Sequence, residues 1–177
     1  MQDIHNGKYT FFWNGPFSQW FKSDFNVEFF DLGDFYRHKG GTFRTAEQFM
    51  MYAKAIMFND KEIATQIMAT NDPSKQKALG RQVKNFDVTR WNAIAQHIVF
   101  QGNLAKFTQN EALLADLKAT KGTILVEASP YDTIWGIGLN EETARITPVK
   151  DWKGTNWLGI ALEKVKHHLT MVESLTS

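Results

Sequence analysis

The 177-residue chain has the length of one ordinary domain, and its 43% apolar and 22% charged residues are typical of a globular protein rather than a disordered one. The absence of cysteine excludes disulfides, thiolate catalysis and thiolate metal sites, and it suits a reducing cytoplasm. A net charge of +1 excludes a broad basic field for duplex DNA, so any anionic ligand must be held by a few local cations.

Two other signals are missing from the sequence. The N-terminal stretch MQDIHNGKYT shows no charged-then-apolar signal-peptide pattern, and no apolar run approaches the ~20 residues of a membrane helix. The five histidines lack metal-ligand spacing with a carboxylate partner. We therefore expect a cytoplasmic protein with no membrane contact, no metal, no cofactor and no obligate protein partner.

The first forty residues predict a small, irregular β region. Residues 8–13 (KYTFFW) and 26–32 (NVEFFDL) are rich in aromatic and β-branched residues, as strands are. Around them, residues 15–18 (GPFS) and 37–43 (RHKGGTF) have the composition of turns.

Helices are predicted from residue 46 onward. The first covers residues 46–58, and Thr45 with Gln48 forms a Thr-x-x-Gln capping box at its start. Its predicted inward stripe is Phe49, Ala53, Ile56 and Met57.

Two shorter helices follow, at residues 59–70 and 71–80. The first is capped near Asn59 or Asp60, and the second at Asp72.

A long helix then covers residues 86–107, capped by Asp87, and a fifth covers residues 110–122, ending at Gly122. The predicted inward stripe of the long helix is Trp91, Ile94, Ala95, Ile98 and Val99.

The last third of the chain predicts a strand at residues 123–129, mostly loop at residues 129–155, and a closing helix at residues 156–169. The inward residues of this helix are Leu158, Leu162, Val165 and Leu169. The sequence therefore predicts one helix-rich α+β domain over residues 1–177, with a small and mostly N-terminal β region.

Candidate chemistry begins at the start of the first helix. Glu47 lies in the first turn, where the helix dipole favours a carboxylate, and Lys54 lies two turns later on the same face. Met51 lies between them as an apolar floor. The pair either lines the wall of a pocket or is simply solvated.

Three further residues each have two interpretations. Arg81 and Lys106 lie near helix ends, where they either compensate the dipole or grip a phosphate. Trp91 either packs in the core or presents its ring face to a ligand.

The stretch SPYDTIWGIG follows the predicted strand. Glu127 ends that strand, and Asp132 and Trp135 lie three residues apart beside a Gly-x-Gly formed by Gly136 and Gly138. The glycines lack the third glycine and the helix of a dinucleotide fingerprint. Two carboxylates near an indole suggest acid/base work on a substrate that carries a ring.

Taken in order, FSQW, TAEQFMMYAKA, DPSKQKALGR, NLAKFTQN, LVEASPYDTIWGIGL and GTNWLGIAL resemble the YbiA-like family, also called NADAR (NAD and ADP-ribose related). The likeness runs from about Phe11 to about His168. Gln19 of FSQW stands where the family usually has Asn, which leaves the finer substrate contacts open.

The resemblance implies a YbiA-like fold and an N-glycosidase that breaks the bond between ribose C1′ and nitrogen. Some members resemble enzymes that cut ribosylamino intermediates of riboflavin synthesis. Others resemble hydrolases that remove ADP-ribose from guanine in DNA. The expected substrate is therefore a small or nucleobase-linked ribosyl compound.

Residues and resemblance together predict catalytic roles for Glu47, Asp132 and Trp135. They predict substrate-binding roles for Lys54, Arg81, Trp91, Lys106, Glu127 and Gly136.

The hypothesis requires Glu47 and the Asp132–Trp135 loop to converge on one cleft. There Glu47 would activate water or stabilise an oxocarbenium-like sugar, and Asp132 would orient the sugar or handle the proton. Two alternatives stay open: a module that binds ADP-ribose or NAD without turnover, and a scaffold whose aromatic loop docks a protein.

Overall fold

The computed structural model describes residues 2–177 and confirms the helix-rich α+β class. Its strands are β1 (Tyr9–Phe12), β2 (Phe25–Phe30), β3 (His38–Phe43) and β4 (Ile124–Glu127). Its helices are α1 (Ala46–Met57), α2 (Lys61–Met68), α3 (Pro73–Gly80), α4 (Val88–Thr108), α5 (Glu111–Lys118), α6 (Glu141–Arg145) and α7 (Trp157–Thr176), with a 3-10 turn at Val149–Asp151.

The chain divides into two compact units. The central unit is Gln19–Glu111, and the terminal unit combines residues 2–18 with Ala112–Ser177. The prediction of one domain over residues 1–177 stays a prediction, and Met1 lies outside the described residues.

The β part of the central unit is an antiparallel pair of β2 and β3, with Phe25 opposite Phe43 and Phe30 opposite His38. The prediction of a turn over residues 37–43 was wrong for β3. A Cβ at Gly40 would lie 2.0 Å from the Val27 carbonyl oxygen, so this strand needs a glycine because its neighbour's backbone lies against it.

The predicted helix caps of the central unit are present. Asp60, Asp72 and Asp87 each accept a hydrogen bond from a backbone N–H in the first turn of the helix that follows. The Thr45 hydroxyl accepts from the Gln48 N–H, but the Gln48 side chain accepts from the backbone of Arg44 rather than Thr45.

Helix α1 is the centre of this unit and packs against α2, α3 and α4. Of its predicted stripe, Phe49 and Ala53 are fully buried, and Ile56 and Met57 are partly buried. A Cβ at Gly102 of α4 would lie 2.7 Å from the Phe49 ring, so the glycine allows α4 to approach α1 closely.

The terminal unit is built on a parallel pair of β1 and β4, in which Tyr9 lies opposite Ile124 and Phe12 opposite Glu127. Helix α7 packs on β4. The buried cluster of this unit is Phe11, Val126, Ala128, Ile137, Leu139 and Ala144.

The terminal unit departs from the predicted boundaries in two places. Helix α5 ends at Lys118 instead of Gly122, and Gly122 instead adopts a φ of +90° in the following turn. The segment predicted to be mostly loop contains α6, whose first turn is capped by Asn140. A five-residue helix is too short to show a hydrophobic period, which explains why the pattern did not reveal it.

Across residues 2–177 no helix combines the length and the apolar character that a bilayer crossing needs.

Candidate active site

Glu47 is held at the start of α1 by the chain that precedes it. Its side chain is only 6% exposed, which is uncommon for a carboxylate, and its backbone N–H donates to the Gln19 carbonyl at 3.0 Å. The amides at a helix N-terminus stabilise a negative charge at this position. The fold therefore places a sheltered carboxylate where the helix dipole supports it.

Lys54 lies two turns along α1 beside two aromatic rings. Its ammonium lies 4.3 Å from the ring centroid of Phe86 and 5.9 Å from that of Trp91. Burial lowers the pKa of Lys54, while the Glu47 carboxylate opposes that change and the Arg81 guanidinium adds to it. Glu47, Lys54 and Arg81 are therefore electrostatic neighbours.

Arg81 follows the last residue of α3 and is exposed to solvent. Helix α3 reaches α1 because Gly80 has no side chain: a Cβ there would lie 2.0 Å from the Met51 sulfur. Met51 is buried, as the apolar floor between Glu47 and Lys54 requires. Because α3 ends against α1, its terminal guanidinium lies close to the polar face of that helix.

Lys106 is a fully buried lysine in the last turn of α4. Its ammonium lies 5.0 Å from the Phe107 ring centroid and 5.8 Å from that of Phe21. Burial lowers the pKa of Lys106 to about 7. The amine is therefore about half neutral at pH 7, which suits proton exchange or nucleophilic chemistry better than a permanent grip on phosphate.

The buried side-chain amides of Asn103 and Gln19 bond to each other. They link α4 to the start of α1, because the Gln19 carbonyl accepts from the Glu47 N–H. Asn103, one turn before Lys106, donates from Nδ2 to the Gln19 side-chain oxygen at 2.8 Å and to the Val99 carbonyl at 2.9 Å. Asn103 is fully buried, and its Oδ1 has no hydrogen-bond partner among the described residues. A buried acceptor of this kind is a place where a substrate hydroxyl or a water can bind.

Sequence reasoning did not identify Asn103 as a candidate and noted Gln19 only as a departure from the family pattern. The available signal was the spacing in NLAKF, which places Asn103 on the same helix face as Lys106.

In the terminal unit, Asp132 organises its own loop. Its Oδ1 accepts from the N–H groups of Ile134 at 2.9 Å and Trp135 at 2.8 Å, and its carbonyl accepts from Gly138. This is the side-chain turn that aspartate commonly forms. The three-residue spacing of Asp132 and Trp135 is therefore explained first by local structure.

The Trp135 ring is half-buried and meets Trp157 edge to face, with 5.5 Å between centroids. The first amides of α7 donate to loop carbonyls, including Leu158 to Trp135 at 3.1 Å. A Cβ at Gly136 would lie 3.0 Å from the carbonyl oxygens of Glu127 and Asp132. Gly136 is thus required by the loop itself, and its predicted contact with substrate stays a prediction.

Glu127 ends β4, as predicted, and is half-buried. Its N–H donates to the side-chain oxygen of Asn156 at 2.9 Å, and the Asn156 amide nitrogen donates to the Leu125 carbonyl at 3.1 Å. The Asn156 side chain therefore makes hydrogen bonds with the backbone of β4 that a neighbouring strand would otherwise make. Its φ of +54° just before α7 makes this possible.

The central unit thus brings together Glu47, Lys54, Arg81 and Trp91, and the terminal unit brings together Glu127, Asp132, Trp135 and Gly136. The predicted convergence of Glu47 with the Asp132–Trp135 loop stays a prediction. Within the described residues, no group of three or more histidine, aspartate or glutamate side chains could hold a metal ion.

The sequence model of the NADAR domain matches residues 11–170, most of the chain. The chain belongs to the NADAR domain family. It is 41% identical over 150 residues to N-glycosidase R617 of Acanthamoeba polyphaga mimivirus, with 85% of each chain covered. It is 40% identical over 129 residues to protein irg-1 of Caenorhabditis elegans, covering 72% of this chain and 61% of irg-1.

The fold of this NADAR chain is similar to the NMR structure of the E. coli protein YbiA, with a TM-score of 0.73 and 24% identity. The match covers 100% of this chain and 90% of that one, which confirms the predicted YbiA-like fold. The mimivirus relative, an N-glycosidase matched over most of both chains, supports the predicted class of hydrolase acting on N-glycosyl bonds.

Proposed function

We propose that the chain is an N-glycosidase that hydrolyses the bond between ribose C1′ and nitrogen in a ribosylated or ADP-ribosylated base. The observation that carries this proposal is the buried Glu47 carboxylate, with the cations of Lys54 and Arg81 and the Trp91 ring around the same helix face. Membership of the NADAR family and the N-glycosidase relative support the same class.

The reaction adds water across the C1′–N bond. Water oxygen bonds to C1′, the bonding pair leaves with nitrogen, and nitrogen takes up a proton. The sugar becomes oxocarbenium-like on the way, so a nearby carboxylate stabilises it. Glu47 supplies that charge or activates the water, and positioned proton transfer typically contributes ~10²–10⁴-fold in rate.

The remaining residues bind and orient the substrate. Lys54 and Arg81 hold its phosphate, and Trp91 stacks on its heterocycle, an interaction worth roughly 1–3 kcal/mol per base. A stacking role for Trp135 stays a prediction. Asp132 uses Oδ1 to shape its loop, and the reaction uses Oδ2 to orient the sugar or to move the proton. Substrate contacts by Glu127 and Gly136 stay predictions.

Lys106 has a more specific role than phosphate binding, because its pKa of about 7 allows it to change protonation state at neutral pH. It can donate a proton to the leaving nitrogen, or its neutral amine can attack C1′ and displace that nitrogen. In the second case the sugar ring opens to give an imine on Lys106, which water then hydrolyses. Borohydride treatment during turnover distinguishes these roles. A reduced sugar adduct found on Lys106 by mass spectrometry supports amine attack, and turnover without any adduct supports proton donation.

The test of the proposal is Glu47→Gln, with Glu62→Gln as the matched control. Glu62 also lies in the first turn of a helix but is exposed, so its loss leaves turnover unchanged. Ribose or ADP-ribose release is followed by mass spectrometry from a ribosylamino pyrimidine phosphate and from an oligonucleotide that carries ADP-ribosylated guanine. We expect E47Q to lower kcat by about 10²-fold or more on whichever substrate the parent cleaves.

Unchanged turnover in a folded E47Q protein would remove Glu47 from the mechanism. The non-catalytic alternative predicts a different result: calorimetry would show tight binding of ADP-ribose, and neither substrate would give product with the unmodified protein. The two substrates also separate a metabolite hydrolase from one that acts on modified DNA.

A further inference from the structure

The terminal unit contains a cavity of about 570 Å³ at the edge of its sheet where β1 and β4 begin. Lys8 immediately precedes β1, Thr123 immediately precedes β4, and Ile124 is the first residue of β4. The other walls come from the end of α5, the turn after it and the part of α7 from Glu163 to Glu173. A volume of this size lies within the range of small-molecule sites, about 300–1,000 Å³.

This cavity is separate from the Asp132 loop. The parallel register sets Tyr9 opposite Ile124 and Phe12 opposite Glu127, so both strands run away from the cavity. The Asp132 loop follows the other end of β4. At ~3.3 Å per residue, the strands separate the two places by roughly 10 Å or more.

The cavity carries excess positive charge. Four lysines and two glutamates line it, and two of the lysines are already paired with the glutamates. Lys118 lies 2.7 Å from Glu173, and Lys166 lies 2.9 Å from Glu163. Lys8 and Lys121 form no ion pair with these glutamates. Their two positive charges match the charge of one dianion. His167 also lines the cavity.

The lysine charges also act on Glu173. A hydrogen bond from Lys118, together with the charges of Lys118 and Lys121, lowers the pKa of Glu173. Lys121 therefore lies close enough to Glu173 to act on it electrostatically.

The charged wall is fixed in place by hydrogen bonds. The Lys166 ammonium donates to the Thr123 carbonyl at 2.8 Å and to the Thr120 hydroxyl at 3.2 Å. The Glu163 carboxylate accepts from the Leu125 N–H at 3.0 Å. These bonds tie α7 to the turn between α5 and β4, so the cavity is preformed rather than a gap between mobile side chains.

Apolar side chains complete the lining. Leu117 is fully buried, Leu169 is partly buried, and Ile124 is 38% exposed. A solvent-exposed isoleucine beside lysines favours a ligand that has an apolar body as well as an anionic group.

We propose that this cavity, where unpaired lysine charges meet an aliphatic wall at the start of β1 and β4, binds a small phosphate monoester with an apolar body. Lys8 and Lys121 contact the phosphate, and Ile124 and Leu169 contact the body. This site is independent of the proposed glycosidase chemistry.

The test is an NMR titration of the ¹⁵N-labelled chain with 1-naphthyl phosphate. We expect saturable shifts at the amides of Gly122, Thr123 and Ile124. The double variant K8Q/K121Q is expected to weaken this binding at least 10-fold. The control K61Q/K75Q removes the same charge from exposed positions of the central unit and leaves the affinity unchanged.

Two further ligands test the chemistry of the site. Neutral 1-naphthol lacks the charge and inorganic phosphate lacks the apolar body, so each is expected to bind at least 10-fold more weakly. If K8Q/K121Q unfolds at a lower temperature than the parent, the single variant K121Q replaces it. Equal affinity in the lysine variants, equal binding of 1-naphthol, or shifts confined to residues 132–138 would each overturn the proposal.

Discussion

At the scale of single residues, Lys106 is a lysine whose side chain is shielded from water. It is fully buried, and its pKa falls to about 7 because burial penalises the charged form. The unfolded chain keeps the ordinary lysine pKa near ~10.4. Between these values the unfolded state binds more protons than the folded one, so this residue makes stability rise with pH.

We therefore expect Lys106→Met to change the pH dependence of stability. The cost of burying the charge is fully present below pH 7 and is relieved as pH rises through about 7 towards the unfolded pKa. Relative to K106M, the parent should gain about 2.7 kcal/mol in unfolding free energy between pH 6 and pH 9. Urea unfolding at each pH measures this, with Lys75→Met as an exposed control. Parallel curves for parent and K106M would contradict the prediction.

Asp132 combines a local and a proposed catalytic role, and two substitutions separate them. Asp132→Asn keeps the Oδ1 that holds the amides of Ile134 and Trp135, so its stability should stay close to that of the parent. Asp132→Ala leaves both amides without their acceptor and should cost about 1–2 kcal/mol.

Because only the charge is lost in D132N, we expect this variant to lose about 10²-fold in kcat while its thermal unfolding is unchanged. Steady-state kinetics and calorimetric melting measure the two effects. Full activity in D132N together with a destabilised D132A would reduce Asp132 to a loop-forming residue.

At the scale of elements, the adjacent glycines Gly40 and Gly41 of β3 are a matched pair of sites for substitution by alanine. A Cβ at Gly40 would lie 2.0 Å from the Val27 carbonyl oxygen, whereas one at Gly41 meets no atom within 4 Å. We expect Gly40→Ala to destabilise the protein by about 1–3 kcal/mol, because the strands must move apart. Gly41→Ala should change stability by less than about 0.5 kcal/mol. Chemical unfolding of both variants is the measurement, and equal effects would contradict the structural reason.

The helix caps and strand β3 of the central unit show what the sequence could and could not predict. The caps at Asp60, Asp72 and Asp87 were predictable because an N-cap acts on amides within three residues of itself. Residues 38–43 read as a turn because glycine favours turns locally, while the real cause is a backbone contact with Val27, far away in sequence.

The candidate site likewise has features that a local sequence pattern predicts and features that depend on contacts between distant residues. Helical periodicity placed Glu47 and Lys54 on one face, and their electrostatic coupling agrees with that. The roles of Gln19 and Asn103 depend on a contact between residues far apart in the chain, which no local pattern contains.

At the scale of the whole molecule, the terminal unit is assembled from two separated segments. Its parallel pair joins Tyr9–Phe12 to Ile124–Glu127, whereas the strand pair of the central unit lies within one continuous segment. A fragment of residues 112–177 lacks the partner of β4 and would expose Val126, which belongs to the same buried cluster as Phe11 of β1.

We expect that fragment to lack a cooperative unfolding transition, and a peptide of residues 2–18 to restore one. The fragment of residues 19–111 is the comparison, because it keeps all of its own strand pairing and should unfold cooperatively. Urea titration followed by circular dichroism measures each case. Cooperative unfolding of residues 112–177 alone would show that β1 is dispensable.

The separation of β1 from β4 also has a consequence during synthesis. At about 5–20 residues per second, roughly 6–20 s pass between the emergence of Phe12 and that of Ile124 from the ribosome. Throughout that interval Tyr9–Phe12 is an aromatic, strand-forming segment without its edge partner. The nascent chain therefore exposes an aggregation-prone segment, for which chaperones and neighbouring chains on the same polysome compete.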